Sequence, residues 1–227
     1  MAREAHGAKQ ARVRRIISAL KRAHPDAKLA LEFSNPLELL VALILAAQAR
    51  DDLVNAVTVE LFRKYRTAAA YADEKESVLQ GRVSRINFFR QKTRSIQRAC
   101  AMVVKDFGGE VPDGMDELLK LPGVGRKTAN AIRANAFGQP AIVVDTHVWR
   151  LSQRLGLTSR DDPDEIEADL ATLVPRKEWT KFCHLLQFHG RRVCMARNPN
   201  CPNCAVNKFC PWPQKTKAAR RQGARHP

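Results

Sequence analysis

Lys127 and Asp145 stand where an amine and a carboxylate could act on a substrate. Lys127 follows Leu121-Pro122-Gly123-Val124-Gly125-Arg126 and falls in the first turn of the helix which that run opens. An ordinary lysine is protonated at neutral pH and cannot attack. Burial, the positive end of a helix and the adjacent Arg126 would each disfavour the ammonium, and that is how an amine nucleophile is made. Taken alone, a lysine here reads first as a phosphate contact or a solvated cation. Asp145 ends the apolar run Ala141–Val144 and precedes Thr146-His147-Val148-Trp149. It is placed to cap the next helix, and a capping carboxylate keeps a second oxygen for other work. His147 and His189 flank apolar helical positions and read as hydrogen-bonded structural histidines rather than ligands.

The run before Lys127 can hold an anion. Glycines on both sides of Val124 allow a tight turn with positive φ and leave no side chains over the backbone amides. Those amides open onto the positive end of the following helix. This is the form of a helix-hairpin-helix, in which Gly123, Val124 and Gly125 would grip a DNA phosphate without reading bases. The plainer reading is a helix–helix connection with glycine at a cap.

Four of the six cysteines crowd together as Cys194-x6-Cys201-x2-Cys204-x5-Cys210. Four thiolates at such spacing can enclose a tetrahedral zinc or a cubane iron–sulfur cluster, and spacing alone does not separate the two. Arg191, Arg192, Arg197 and Lys208 flank them, placed to hold phosphates or to screen the charge of the site. Cys100 and Cys183 stand apart in helical sequence. This is not the pattern of a secreted disulfide framework, and a reducing cytosol or nucleoid is expected.

The elements that must position these residues are helices. The chain has 227 residues, 44% of them hydrophobic, enough for a buried core in one large domain or two small ones. Apolar residues at Val13, Ile16, Ile17 and Leu20 recur at helical period. Asn35-Pro36-Leu37-Glu38 is a helix start, with Asn35 as cap and Pro36 in the first turn. The periodicity predicts helices over 8–23, 36–48, 51–65, 67–73, 76–81, 88–107, 115–120, 126–137, 146–155, 164–174 and 177–189. Strand signals are nearly absent, so the class is all-α. The tail after Trp212 is rich in Lys and Arg, lacks acids and is expected to be disordered. The longest apolar run, Leu39–Ala47, is far shorter than the roughly 20 residues of a bilayer crossing. No signal-peptide pattern opens the chain, so a cytoplasmic protein with no membrane partner is expected. Lys and Arg total 39 against 23 Asp and Glu, a formal +16, which favours a polyanionic partner, nucleic acid first.

Together, Leu121-Pro-Gly-Val-Gly-Arg-Lys127-Thr-Ala-Asn130, Val144-Asp145-Thr146-His147, His189-Gly190-Arg191 and the four cysteines resemble the endonuclease III family of helix-hairpin-helix DNA glycosylases. The resemblance runs from about Arg12 to Trp212. It implies two helical domains with duplex DNA bound in the cleft between them. One is a six-helix barrel over 28–138 that carries the hairpin. The other joins 1–27 and 139–213 around a [4Fe–4S] cluster held by Cys194, Cys201, Cys204 and Cys210, with 214–227 as the basic tail. The implied activity is removal of oxidised pyrimidines followed by AP-lyase strand cleavage, by a monomer associated with the nucleoid. A catalytically silent DNA-binding relative is the alternative. Lys127 matches the family nucleophile and Asp145 its catalytic carboxylate. Gln48 matches a residue that fills the gap left by the flipped nucleotide, and Phe88 occupies the second wedge position. Arg50, Lys92, Arg191, Arg192 and Arg197 are the further expected DNA contacts. The sequence departs from the family pattern at Ala46, where Ser is usual, and at Arg50, where a small polar residue is usual. It departs again at Ile86-Asn87-Phe88-Phe89-Arg90, where the family often has Gly-Leu-Tyr-Asn.

Overall fold

The structure is a computed structural model in which residues 4–213 are described. The predicted disordered tail lies almost wholly outside them. All regular elements among the described residues are helical, as the periodicity predicts. The chain divides into two compact units, one of Leu29–Gln139 and one joining the described residues of 1–28 and 140–227.

The unit of Leu29–Gln139 contains α2 (Pro36–Ala46), α3 (Asp51–Lys64), α4 (Ala68–Ala72), α5 (Glu76–Val83), α6 (Phe89–Phe107), α7 (Met115–Lys120) and α8 (Arg126–Ala136). Helix α2 is apolar nearly all round because it is central, packing on α3, α6 and α8. Its start is fixed as the sequence predicts. Asn35 Oδ1 accepts from the Glu38 amide at 2.9 Å, and Glu38 answers by accepting from the Ser34 amide at 2.6 Å. Leu39, Leu40 and Leu45 join Ile86, Ile96, Leu118 and Ile132 in one core. The single turn α4 lies along the long, amphipathic α6.

The second unit is built from α1 (His6–Ala23), α9 (Thr146–Arg154), α10 (Pro163–Leu173) and α11 (Trp179–Arg192). Short 3₁₀ turns lie at Arg176–Glu178 and Asn207–Phe209. Helix α1 lays its Val13, Ile16, Ile17 and Leu20 stripe against α10 and α11, and α11 also packs on α9. The core is completed by Leu151, Leu170, Phe182, Leu185 and Leu186. Cys183 belongs to this interior and Cys100 to the other unit's. Burial pushes each thiol up to about 12, so both are inert packing residues.

Observed helix ends lie within a few residues of those predicted, and Ala141–Val144 forms no strand. No helix among the described residues is long and apolar enough to cross a membrane.

Candidate functional site

The hairpin joins α7 to α8 through Leu121–Gly125. Leu121 and Val124 are buried and anchor it, and the Val124 amide donates to the Leu121 carbonyl at 3.0 Å. Gly123 has φ +84° and lies so close to Ser95 that an added Cβ would sit 3.0 Å from the Ser95 Cβ. Both conformation and space therefore demand glycine there. Gly125 differs from the expectation. It is the N-cap of α8 with φ −98°, an ordinary extended value. Its value lies in what it lacks, because glycine at the cap has no side chain to lie over the first turn of α8. First-turn amides have no acceptor within their own helix and so favour an external anion. The Val124 amide, by contrast, is taken by Leu121, so this residue anchors the hairpin and does not supply a phosphate donor.

Lys127 is the second residue of α8 and is exposed. The burial expected to help release its proton is thus not a property of its surroundings, because its position on the helix turns it outward. Asp145 lies in the other unit, as N-cap of α9. Its Oδ1 accepts from the amides of His147 at 2.9 Å and Val148 at 2.7 Å. That oxygen is fixed, and the half-buried carboxylate keeps Oδ2.

Gln48 and Phe88 share an uncommon backbone. Both have left-handed φ, +55° and +59°, in residues that are not glycine. Gln48 follows the end of α2, and Phe88 is the N-cap of α6 with 62% of its surface exposed. An exposed phenylalanine held in an unfavourable conformation makes no contribution to the core.

Three expected DNA contacts have other work. Lys92 is buried, only 6% exposed, and its Nζ donates to the carbonyls of Leu45 at 2.8 Å and Ala47 at 2.6 Å. It cannot reach a phosphate from there, and the expectation is corrected. The amphipathic pattern of α6 turns this lysine inward, where it satisfies the end of α2. Arg50 is exposed but forks onto Asp52. Arg192 pairs through both terminal nitrogens with Asp26 at 3.0 and 2.7 Å and lies over the Phe188 ring. Arg191 and Arg197 are exposed.

The four cysteines line one hollow with Leu151, Leu155, Val193, Val206 and Trp212. Cys194 Sγ accepts from Arg154 at 3.3 Å, and Cys204 Sγ lies 3.3 Å from His189 Nε2. Burial, followed by the neighbouring sulfurs, holds the Cys204 thiol at about 11. Among the described residues no three His, Cys, Asp or Glu side chains converge where one ion would sit. Four thiols that line one hollow, one of them accepting from Arg154, suit a sulfur-ligated metal or cluster.

Two arginines that sequence reasoning overlooked hold this loop. Arg150 donates to the carbonyls of Gly190 and Cys194, each at 3.1 Å. Arg154 donates to Met195 at 2.8 Å and Ala196 at 3.0 Å, and stacks on Trp212. Their spacing of four on α9 was the available signal, since it puts both on one face. Gly190 leaves the needed room, for a Cβ there would meet His147 Nδ1 at 2.8 Å.

Residues 41–176 match the model of the HhH-GPD superfamily base excision DNA repair protein. Endonuclease III of Synechocystis sp. is 47% identical over 209 residues, covering 91% of this chain and 94% of its own. That of Bacillus subtilis is 46% identical over 192 residues, covering 84% and 88%. A solved non-covalent endonuclease III–DNA complex is similar at 43% identity and a TM-score of 0.87, covering 93% of this chain and 98% of its own. A trapped endonuclease III–DNA covalent intermediate is similar at 42% identity and a TM-score of 0.85, covering 94% and 98%. With the hairpin, the capping aspartate and the cysteine loop all in place, the chain belongs to the HhH-GPD superfamily of base excision DNA repair proteins.

Proposed function

We propose that the protein is a DNA glycosylase with AP-lyase activity that removes oxidised pyrimidines from duplex DNA, working as a monomer on the nucleoid. The observation that carries this reading is Lys127, exposed in the first turn of a helix whose cap is a bare glycine of the Leu121–Gly125 hairpin. Similarity to endonuclease III bound to DNA, both covalently and non-covalently, supports it.

The target base is stacked inside the duplex, so its nucleotide must be turned out before any reaction. Hairpin amides hold the backbone, and the exposed Gln48 and Phe88 side chains fill the gap. Neutral Lys127 Nζ attacks C1′. The glycosidic C1′–N bond breaks, and the base leaves with the bonding electrons and takes up a proton. Opening of the sugar ring gives a Schiff base between Lys127 and C1′. Loss of a proton from C2′ then expels the 3′ phosphate by β-elimination. Asp145 serves as base toward Lys127 or stabilises positive charge developing on the sugar. Cys194, Cys201, Cys204 and Cys210 would hold a [4Fe–4S] cluster, whose contribution is to brace the loop between α11 and Trp212. A zinc-only site is separated from it by colour, since iron–sulfur thiolates absorb broadly near 400 nm.

The test is borohydride trapping on an abasic duplex. Reduction of the Schiff base gives a stable amine link between protein and DNA. The wild-type protein forms it and Lys127→Ala does not. Equal trapping by the variant would remove Lys127 from the mechanism.

A further inference from the structure

The two left-handed turns are tied together by the lysine that the surface does not show. Lys92 lies four residues after Phe88, and its backbone amide donates to the Phe88 carbonyl at 3.1 Å. Its side chain runs inward, and Nζ bonds the Leu45 and Ala47 carbonyls on either side of the last residue of α2. The Ala49 amide donates to the Ala46 carbonyl at 3.0 Å and closes the turn that puts Gln48 at φ +55°. One residue thus binds the turn of Phe88 through its backbone and the turn of Gln48 through its ammonium.

Physical chemistry favours that placement. The carbonyl end of a helix attracts a cation, and two carbonyls satisfy donors that would otherwise be costly to bury. Burial alone pulls the Lys92 ammonium toward the neutral form. Left-handed non-glycine residues persist only where their surroundings over-determine them. Lys92 is a shared part of those surroundings for both.

We propose that Lys92 is a positioning residue that locks the Gln48 and Phe88 turns to one another, so that the two exposed side chains meet the duplex as one preformed wedge. This rests on the DNA-repair reading above. Pre-ordering lowers the entropy cost of binding distorted DNA and leaves binding to undistorted DNA untouched.

The test uses the full chain loaded with its cluster. Affinity is measured for a duplex carrying a tetrahydrofuran abasic analogue and for an undamaged duplex of the same length. Lys92→Met should weaken the abasic duplex about tenfold and leave the undamaged one within about twofold. Lys92→Gln, which keeps a donor, should recover part of the loss. In a Gln48→Ala/Phe88→Ala background, Lys92→Met should have no further effect. Equal weakening of both duplexes, or the same loss in that background, overturns the proposal. In the free wild-type protein the Ala49 and Lys92 amides should already resist hydrogen exchange. Exchange at the rate of an unstructured loop overturns the proposal even if the variants fail to fold. A wild-type protein with no preference for the abasic duplex overturns the DNA-repair reading, and the wedge with it. A wild-type preference untouched by Lys92→Met overturns the wedge alone.

Discussion

His24 Nε2 lies 3.0 Å from His189 Nδ1, so two buried rings 165 residues apart in sequence share one hydrogen bond. The other nitrogen of His189 faces Cys204 Sγ, which links the end of α1 to the cysteine loop through a single imidazole. Replacing His24 by Ala leaves a buried ring nitrogen without its partner. The expected cost is roughly 1–3 kcal/mol, read from the urea midpoint of the protein. An unmoved midpoint would mean that the pair adds nothing to stability.

Asp145 has two roles that substitution can separate. Asn keeps an oxygen for the His147 and Val148 amides and removes the charge. Asp145→Asn should melt like the wild type, bind duplex DNA and lose base excision. Asp145→Ala should also lose about 1 kcal/mol of stability with the cap. Full turnover in the Asn variant would show that the charge is not used.

The hairpin glycines should respond differently. Gly123→Ala meets both a left-handed backbone and the Ser95 side chain, and should cost at least about 1–2 kcal/mol. Gly125→Ala has an ordinary φ and open space, so its melting temperature should hold. Its DNA affinity should nonetheless fall severalfold as a methyl group enters beside the first-turn amides. Unchanged affinity would move the phosphate elsewhere.

Phosphate gripping predicts a steep salt response. Binding to an undamaged duplex should weaken with a log–log slope corresponding to about 5–8 released counterions. A flat response between low and physiological salt would reject such a footprint, even with the chain's formal charge of +16.

Acid should loosen the Leu29–Gln139 unit at one identified carboxylate. Glu74 accepts from Lys64 Nζ at 2.8 Å, Tyr65 Oη at 2.7 Å and the Lys75 amide at 3.1 Å. Those bonds, Lys64 first, hold it at about 2 instead of the ordinary 4.5. Its folded value is the lower one, so its stabilisation is fully present above about 4.5 and is lost as pH falls toward about 2. Thermal midpoints across that window should drop more steeply in the wild type than in Glu74→Gln. Parallel curves would remove Glu74 as the cause.

Local chemistry was readable wherever one residue type serves one purpose. Asn35 and Asp145 cap because a short oxygen-bearing side chain at a helix start has that use, and the α1 stripe declares its buried face. The inward role of Lys92 is not legible locally, because a lysine in a basic amphipathic helix looks solvated until the neighbouring α2 terminus supplies carbonyls. The left-handed Gln48 and Phe88 had no local signal, since neither residue type prefers that conformation. Arg150 and Arg154 gain their roles only when the cysteine loop folds back on α9, a contact about forty residues distant.

The interrupted unit sets an order of assembly. As the chain leaves the ribosome, α1 appears first, yet the α10 and α11 surfaces that cover its apolar stripe are made more than a hundred residues later. The Leu29–Gln139 unit has all its own helices by then and can fold while translation continues. The nascent N-terminal helix must therefore wait with its greasy side uncovered. Mutations that slow synthesis between Pro140 and Arg192 should make this protein depend on chaperones, whatever their effect on the finished molecule.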